Sequence, residues 1–234
     1  MRSDVPVLVL EDAVPVFEAS GLPPWPMRLS LMPGDCALVE TRSGRDAAAL
    51  ADLCIGLVPL RSGAVRMLGS DWDRLDNRRT AALRARVGRV RQRGAWSDML
   101  SAQLNILLPQ LHHTDRSVGE LMEAATSLAR RFGLPGLPTE RPDRLSEADL
   151  ARAACVRALL GRPALLLLEN PVAAEQPDLL PPLLDTMARM RERGCAVLCL
   201  VRDPAVWRSF ERWTTHRLQL GENGLVPIDP AGDP

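Results

Sequence analysis

A polar loop between a strand and a helix is the first place in this sequence where residue types and spacing suit chemistry. Residues 36–39, Cys-Ala-Leu-Val, read as a buried strand behind the turn Pro33-Gly34-Asp35. Thr41-Arg42-Ser43-Gly44-Arg45-Asp46 follows as the loop, and residues 47–57 are apolar at helical spacing, ending near Gly56. Strand, loop and helix in that order are the frame that holds phosphate on backbone N–H groups. The loop's own composition argues the other way: Gly44 is its one glycine, and Asp46 adds a carboxylate where a phosphate would be repelled. In the stretch Leu145-Ser146-Glu147-Ala148-Asp149, residue types alone make Ser146 an N-cap with acidic first-turn residues behind it. His112 and His113 are adjacent, with no third ligand in view, so they make no metal site. Cys36, Cys54, Cys155, Cys195 and Cys199 form no C-x-x-C pair. Cys195 and Cys199 share a strand and stand about 13 Å apart along it, too far for a disulfide. Buried free thiols are expected.

The elements that must position these residues alternate. Residues 59–63 read as a turn, 64–68 as a strand, and 74–89 as a charged surface helix. Residues 93–144 read as a helical insert with loops at 93–101 and 112–117, one amphipathic helix at 118–132, and Pro135, Pro138 and Pro142 closing it. Residues 148–160 form a helix ended by Gly161-Arg162-Pro163. Residues 164–168 are uninterruptedly apolar, as central parallel strands are. A helix at 179–193 and a buried strand at 196–201 follow. The expected fold is α/β, with a parallel core sheet, a flanking N-terminal antiparallel β region and a helical subdomain at about 93–144. The domain is expected to span 1–221, with 222–234 an unstructured tail rich in Pro, Gly and Asp.

Of the 234 residues, 46% are hydrophobic, enough for a sizeable core, and 29 basic residues balance 29 acidic ones. A neutral chain gives no electrostatic case for nucleic acid as main partner. The first residues read as no signal peptide, so none is expected, and no run reaches the roughly 18 apolar residues of a spanning helix. The expectation is a cytoplasmic chain that reaches a membrane only through a partner.

Several segments in order resemble the ATP-binding-cassette (ABC-type) ATPases. Leu145-Ser146 opens a helix ending in Arg157-Ala158-Leu159, followed by Pro163, the strand at 165–168 and Glu169-Asn170-Pro171. That order is similar to the family's signature motif, its helix and its Walker B strand. The loop and helix at 43–57, with Pro59 and Gly63 behind, resemble the Walker A region, and Gln92 stands at the Q-loop glutamine. The run Gln92-Arg93-Gly94-Ala95-Trp96-Ser97-Asp98-Met99-Leu100, then Asn105, Leu108-Pro109 and His113-Thr114-Asp115, is similar to the ATPases of bacterial intermembrane phospholipid (Mla) and related MCE-type lipid transport systems. Gly133-Leu134-Pro135 fits the same subgroup.

Set against that resemblance, the catalytic positions have changed. The Walker A pattern G-x-x-x-x-G-K-[ST] meets Thr41 and Asp46 at its glycines, Ala47 at its lysine and Ala48 at its hydroxyl residue. Asn170 replaces the general base and takes no proton at neutral pH, while Glu169 keeps a carboxylate able to reach Mg²⁺. The signature glycines become Glu147 and Ala148, and the switch histidine becomes Arg202. Ala173-Ala174-Glu175-Gln176 occupies the D-loop position.

The resemblance therefore implies a P-loop NTPase-type fold without its chemistry. The expectation is a non-hydrolysing subunit, with no resident cofactor beyond weak ATP–Mg²⁺ binding. It would pair with a permease and a second cassette, as homodimer or heterodimer, on the inner face of the cell membrane. Trp96 and Met99 are the expected partner anchors. A weak but working ATPase and a soluble interaction protein that kept the fold are the alternatives.

Overall fold

A computed structural model describes residues 5–92, 94–172, 177–205 and 213–228. The D-loop stretch 173–176 and Arg93 lie outside them. Two sheets organise the chain. Strands β1 (Leu8–Pro15), β2 (Met27–Leu31), β4 (Leu60–Met67) and β5 (Ser70–Asp71) form an antiparallel sheet of order β2-β1-β4-β5. The short helix α1 (Phe17–Ser20) joins its first two strands. The second sheet runs β10-β9-β3-β8-β7-β6. It is built from β3 (Cys36–Thr41), β6 (Val87–Val90), β7 (Leu165–Glu169), β8 (Ala196–Val201), β9 (His216–Gly221) and β10 (Gly224–Pro227). All its pairings are parallel except β9 with β10.

The parallel strands are buried on both faces, which is why β7 and β8 are continuous apolar runs. Successive side chains alternate between two cores. Leu165 and Leu167 pack with the antiparallel sheet and helix α2 (Gly44–Cys54). Leu166 and Leu168 pack with the helical side: α4 (Ala102–His113), α5 (Val118–Arg131), α6 (Glu147–Leu159) and α7 (Leu180–Glu192). Each fully buried leucine there contributes about 1.5–3 kcal/mol. The five cysteines are buried and free, as the sequence implied.

Three expectations about the elements change. The charged helix expected at 74–89 is a shorter α3 (Asn77–Arg84), capped by Asp76, and then the strand β6. Gly88 permits that strand: a Cβ there would lie 2.2 Å from the Ala158 carbonyl oxygen, so β6 and α6 approach closer than a side chain allows. The insert carries a second helix, α4, capped by Ser101 and running through Pro109, beside the one amphipathic helix expected there. Residues 224–227, expected to belong to the tail, instead add strand β10 to the sheet edge.

Candidate functional site

The loop that would meet phosphate is short. Strand β3 runs to Thr41 and α2 begins at Gly44. Ser43 takes an extended conformation, and its Oγ accepts from the Asp46 N–H at 3.2 Å, while the Ala47 N–H donates to the Ser43 carbonyl at 3.1 Å. Two of the early N–H groups of the helix, those of Asp46 and Ala47, are thus held by Ser43. Arg42 lies 3.5 Å from Asp46 and neutralises it. Ala47, aligned with the lysine, faces the core and is fully buried. No lysine occurs anywhere in the chain to replace it.

A cleft of about 430 Å³ lies among the start of α2, the end of β6 and the end of β7. The face that α2 turns to it is Gly44, Arg45, Ala48 and Asp52. Opposite stand Arg89, Arg91, Gln92 and Glu169. Arg89 fills the middle. Its Nε donates to Glu169 Oε1 at 2.5 Å, its Nη1 to Asp52 Oδ1 at 2.6 Å and its Nη2 to the Ala48 carbonyl at 3.2 Å. The side chains of Arg89 and Glu169 are only 12% and 4% exposed, so this pair is largely withdrawn from water. Burial pushes the Glu169 carboxyl above its usual range, with the charge of Arg89 opposing the shift. Burial also works against the Arg89 charge, but its hydrogen bonds and ion pairs with Asp52 and Glu169 raise its pKa on balance. Gln92 lies against the helix start: a Cβ on Gly44 would meet Gln92 Oε1 at 2.1 Å.

Asn170 follows Glu169 with φ +44°, a backbone region that asparagine tolerates better than most residues. Its N–H donates to the Leu200 carbonyl and its Oδ1 accepts from the Arg202 N–H, both at 2.8 Å. Its Nδ2 reaches Gln92 Oε1 at 3.5 Å. The side chain is a strap joining the ends of β7 and β8, and an amide there removes no proton from water. Arg202 contributes its backbone to that strap. At α6, Ser146 Oγ accepts from the Asp149 N–H at 3.1 Å and donates to Asp149 Oδ2 at 2.9 Å, the capping arrangement read from its residue types. Leu145 and Glu147 flank it as the residue before the cap and the first helical residue.

The family model described as ABC transporter matches residues 27–173. The chain belongs to the ABC transporter family. It is 27% identical over 202 residues to the glutamate/aspartate import ATP-binding protein GltL of Escherichia coli K12, covering 86% of this chain and 81% of that one. It is 30% identical over 191 residues to the lipoprotein-releasing system ATP-binding protein LolD 1 of Rhodospirillum rubrum, covering 81% and 84%. It is also 30% identical over 218 residues to the phosphonates import ATP-binding protein PhnC of Hyphomonas neptunium, covering 88% and 81%. The fold matches the dimeric MJ0796 bacterial ABC transporter cassette with a TM-score of 0.80 at 19% identity, over 92% of this chain and 95% of that one.

Family membership implies ATP–Mg²⁺ as ligand, and the residues present do not fit it. The carboxylate that would reach the metal is taken by Arg89, the helix start is self-capped, and the aligned lysine position points into the core. Among the described residues no group of acidic, histidine or cysteine side chains is arranged to hold a metal ion, and no helix is long and apolar enough to cross a membrane.

The expected partner anchors separate. Trp96 is half-buried against the helical core; the Arg157 guanidinium lies 4.3 Å over its ring and donates to the Ala95 carbonyl at 2.7 Å. Trp96 is thus a packing residue and not an exposed anchor. Met99 is 82% exposed, and Leu104 and Leu108, four residues apart on α4, join it as exposed apolar side chains. Arg89, Arg91 and Asp52 are the cleft residues that sequence reasoning did not assign. In Val87-Gly88-Arg89-Val90 the valines stand three apart, so the stretch carries no period-2 strand signal to set Arg89 on the cleft side.

Proposed function

We propose that the chain is a non-hydrolysing cassette subunit of an ABC transporter, acting as scaffold or regulator beside a membrane permease and a second cassette at the cytoplasmic face of the membrane. The observation that carries this reading is Arg89, bound to Asp52 and Glu169 in the middle of the cleft. The lost lysine and the amide at Asn170 support it. Isothermal titration with ATP–Mg²⁺ is expected to give no Kd below about 100 μM, roughly −5.5 kcal/mol. Turnover at millimolar ATP is expected to fall short of an ordinary cassette by about 10²–10⁴-fold, the usual cost of a missing positioned base. A low-micromolar Kd, or Mg²⁺-dependent turnover within about tenfold of an ordinary cassette, sinks the reading.

The cargo we assign is lipid, from the similarity of residues 92–115 to the Mla and MCE-type ATPases. The permease contact follows from the same region, through Met99, Leu104 and Leu108. Met99→Asp with Leu108→Asp is expected to leave the melting temperature within about 2 °C, since neither side chain is buried, Met99 being 82% and Leu108 47% exposed. Co-purification with the permease in mild detergent should fall about tenfold or more, as for the loss of buried interface anchors. Undiminished capture would remove this face from the interface.

A further inference from the structure

We propose that Arg89 is a built-in cation that stands in for the nucleotide's metal, tying α2 to the ends of β6 and β7 so that the cleft stays formed without a ligand. The inference rests on the non-nucleotide reading above and adds the residue that makes such a state self-sufficient.

Three oxygen acceptors converge on the guanidinium from two elements. Asp52 and the Ala48 carbonyl come from α2, and Glu169 comes from β7. Arg89 itself comes from β6, so one side chain cross-links three elements. Two carboxylates and a carbonyl form an oxygen set of the kind a hard divalent cation takes. The planar fork of arginine satisfies the same set with separate N–H donors and cannot dissociate as an ion does. Without it, Asp52 and Glu169 would confront each other across a site that water scarcely enters on the Glu169 side. Asp52 has a second cation, Arg91, at 3.8 Å, and that arginine is more exposed. Among the described residues Glu169 is ion-paired with Arg89 alone. Arg89 is therefore the member whose removal leaves an uncompensated buried charge. Gln92, beside Gly44 and within reach of Asn170, lines the same cleft.

The test is thermal unfolding of the full chain, with and without about 1 mM MnCl₂, a cation suited to oxygen ligands. The variants are Arg89→Met, which keeps the apolar stem and removes the guanidinium, and the triple Arg89→Met/Asp52→Asn/Glu169→Gln. Arg89→Met is expected to lower Tm by about 5 °C or more. Mn²⁺ should return about 2 °C or more to that variant and shift the unaltered chain by less than about 0.5 °C. The triple variant, with no charge left to compensate, should recover at least half the loss and ignore Mn²⁺. If Arg89→Met does not fold, the triple variant decides: a folded triple supports the proposal, and an unfolded one overturns it. Arg89→Met as stable as the unaltered chain, or equally deaf to Mn²⁺, also overturns it. These failures differ from failure of the non-nucleotide reading, which shows as tight ATP–Mg²⁺ binding by the unaltered chain.

Discussion

Restoring the phosphate loop by substitution alone is expected to leave the chain unable to bind nucleotide. The variant Asp46→Gly/Ala47→Lys/Ala48→Ser should keep its ATP–Mg²⁺ Kd above about 100 μM. Adding Ser43→Gly and Arg89→Met should lower the Kd at least about tenfold, roughly 1.4 kcal/mol. The reason lies in the backbone and in Arg89, not only in the missing residue types. Helix α2 begins at Gly44, and Ser43 holds the N–H groups of Asp46 and Ala47. Position 47 points into the core between the sheets, where a lysine would be buried without a partner or would disrupt the helix start. Glu169, the carboxylate aligned to reach Mg²⁺, is held by Arg89. Ser43→Gly frees the helix start, and Arg89→Met frees the carboxylate. Calorimetric titration of the three-residue and five-residue variants separates the two views. Micromolar binding by the three-residue variant would show that side-chain loss is the whole of the defect.

Much of the fold was legible because its signals are strong and local. The apolar runs at β7 and β8 can be little other than buried strands, and Ser117 with Glu120 forms the capping box that starts α5. Ser146 is legible for the same reason: a hydroxyl before an acidic first turn caps a helix in any context. The misreadings arose where tertiary packing outweighs local preference. Strand β6 is four residues long, set among arginines, and exists because Gly88 fits against α6. Once those residues were taken for helix, Arg89 had no reason to face the cleft. In α4 a proline sits inside the helix, against the usual reading of proline as a stop. The separation of Trp96 from Met99 depends on Arg157, sixty-odd positions along the chain, whose placement over the indole no spacing rule reveals.

The largest stability loss near the docking face is expected from Asn105, a residue that contacts no partner in our reading. It is 7% exposed and sits on α4 beneath the turn that presents Met99. Its Oδ1 accepts from the Ser97 N–H at 2.9 Å. Its Nδ2 reaches the carbonyls of Ser97 and Ser101 at 3.0 Å and of Leu100 at 3.3 Å. One amide therefore ties residues 97–101 to the helix that follows them. Alanine at this position leaves the Ser97 N–H and the facing carbonyls without this partner, at about 2 kcal/mol or more. For a chain of this size that is a fall of about 4–8 °C in Tm. Asn105→Asp should be at least as damaging, because it keeps the acceptor but sets a carboxylate against three carbonyl oxygens. Hydrogen exchange localises the effect: the Ser97 amide should exchange about tenfold faster or more, while the amides of β7 and β8 stay protected at temperatures where the domain remains folded. Under those conditions permease capture should fall as it does for the charged Met99 and Leu108 variant, because Met99 is no longer held in place. Retained protection at Ser97 in the alanine variant would show that the turn is held by its own backbone. Loss of protection with undiminished capture would instead separate the order of this turn from docking.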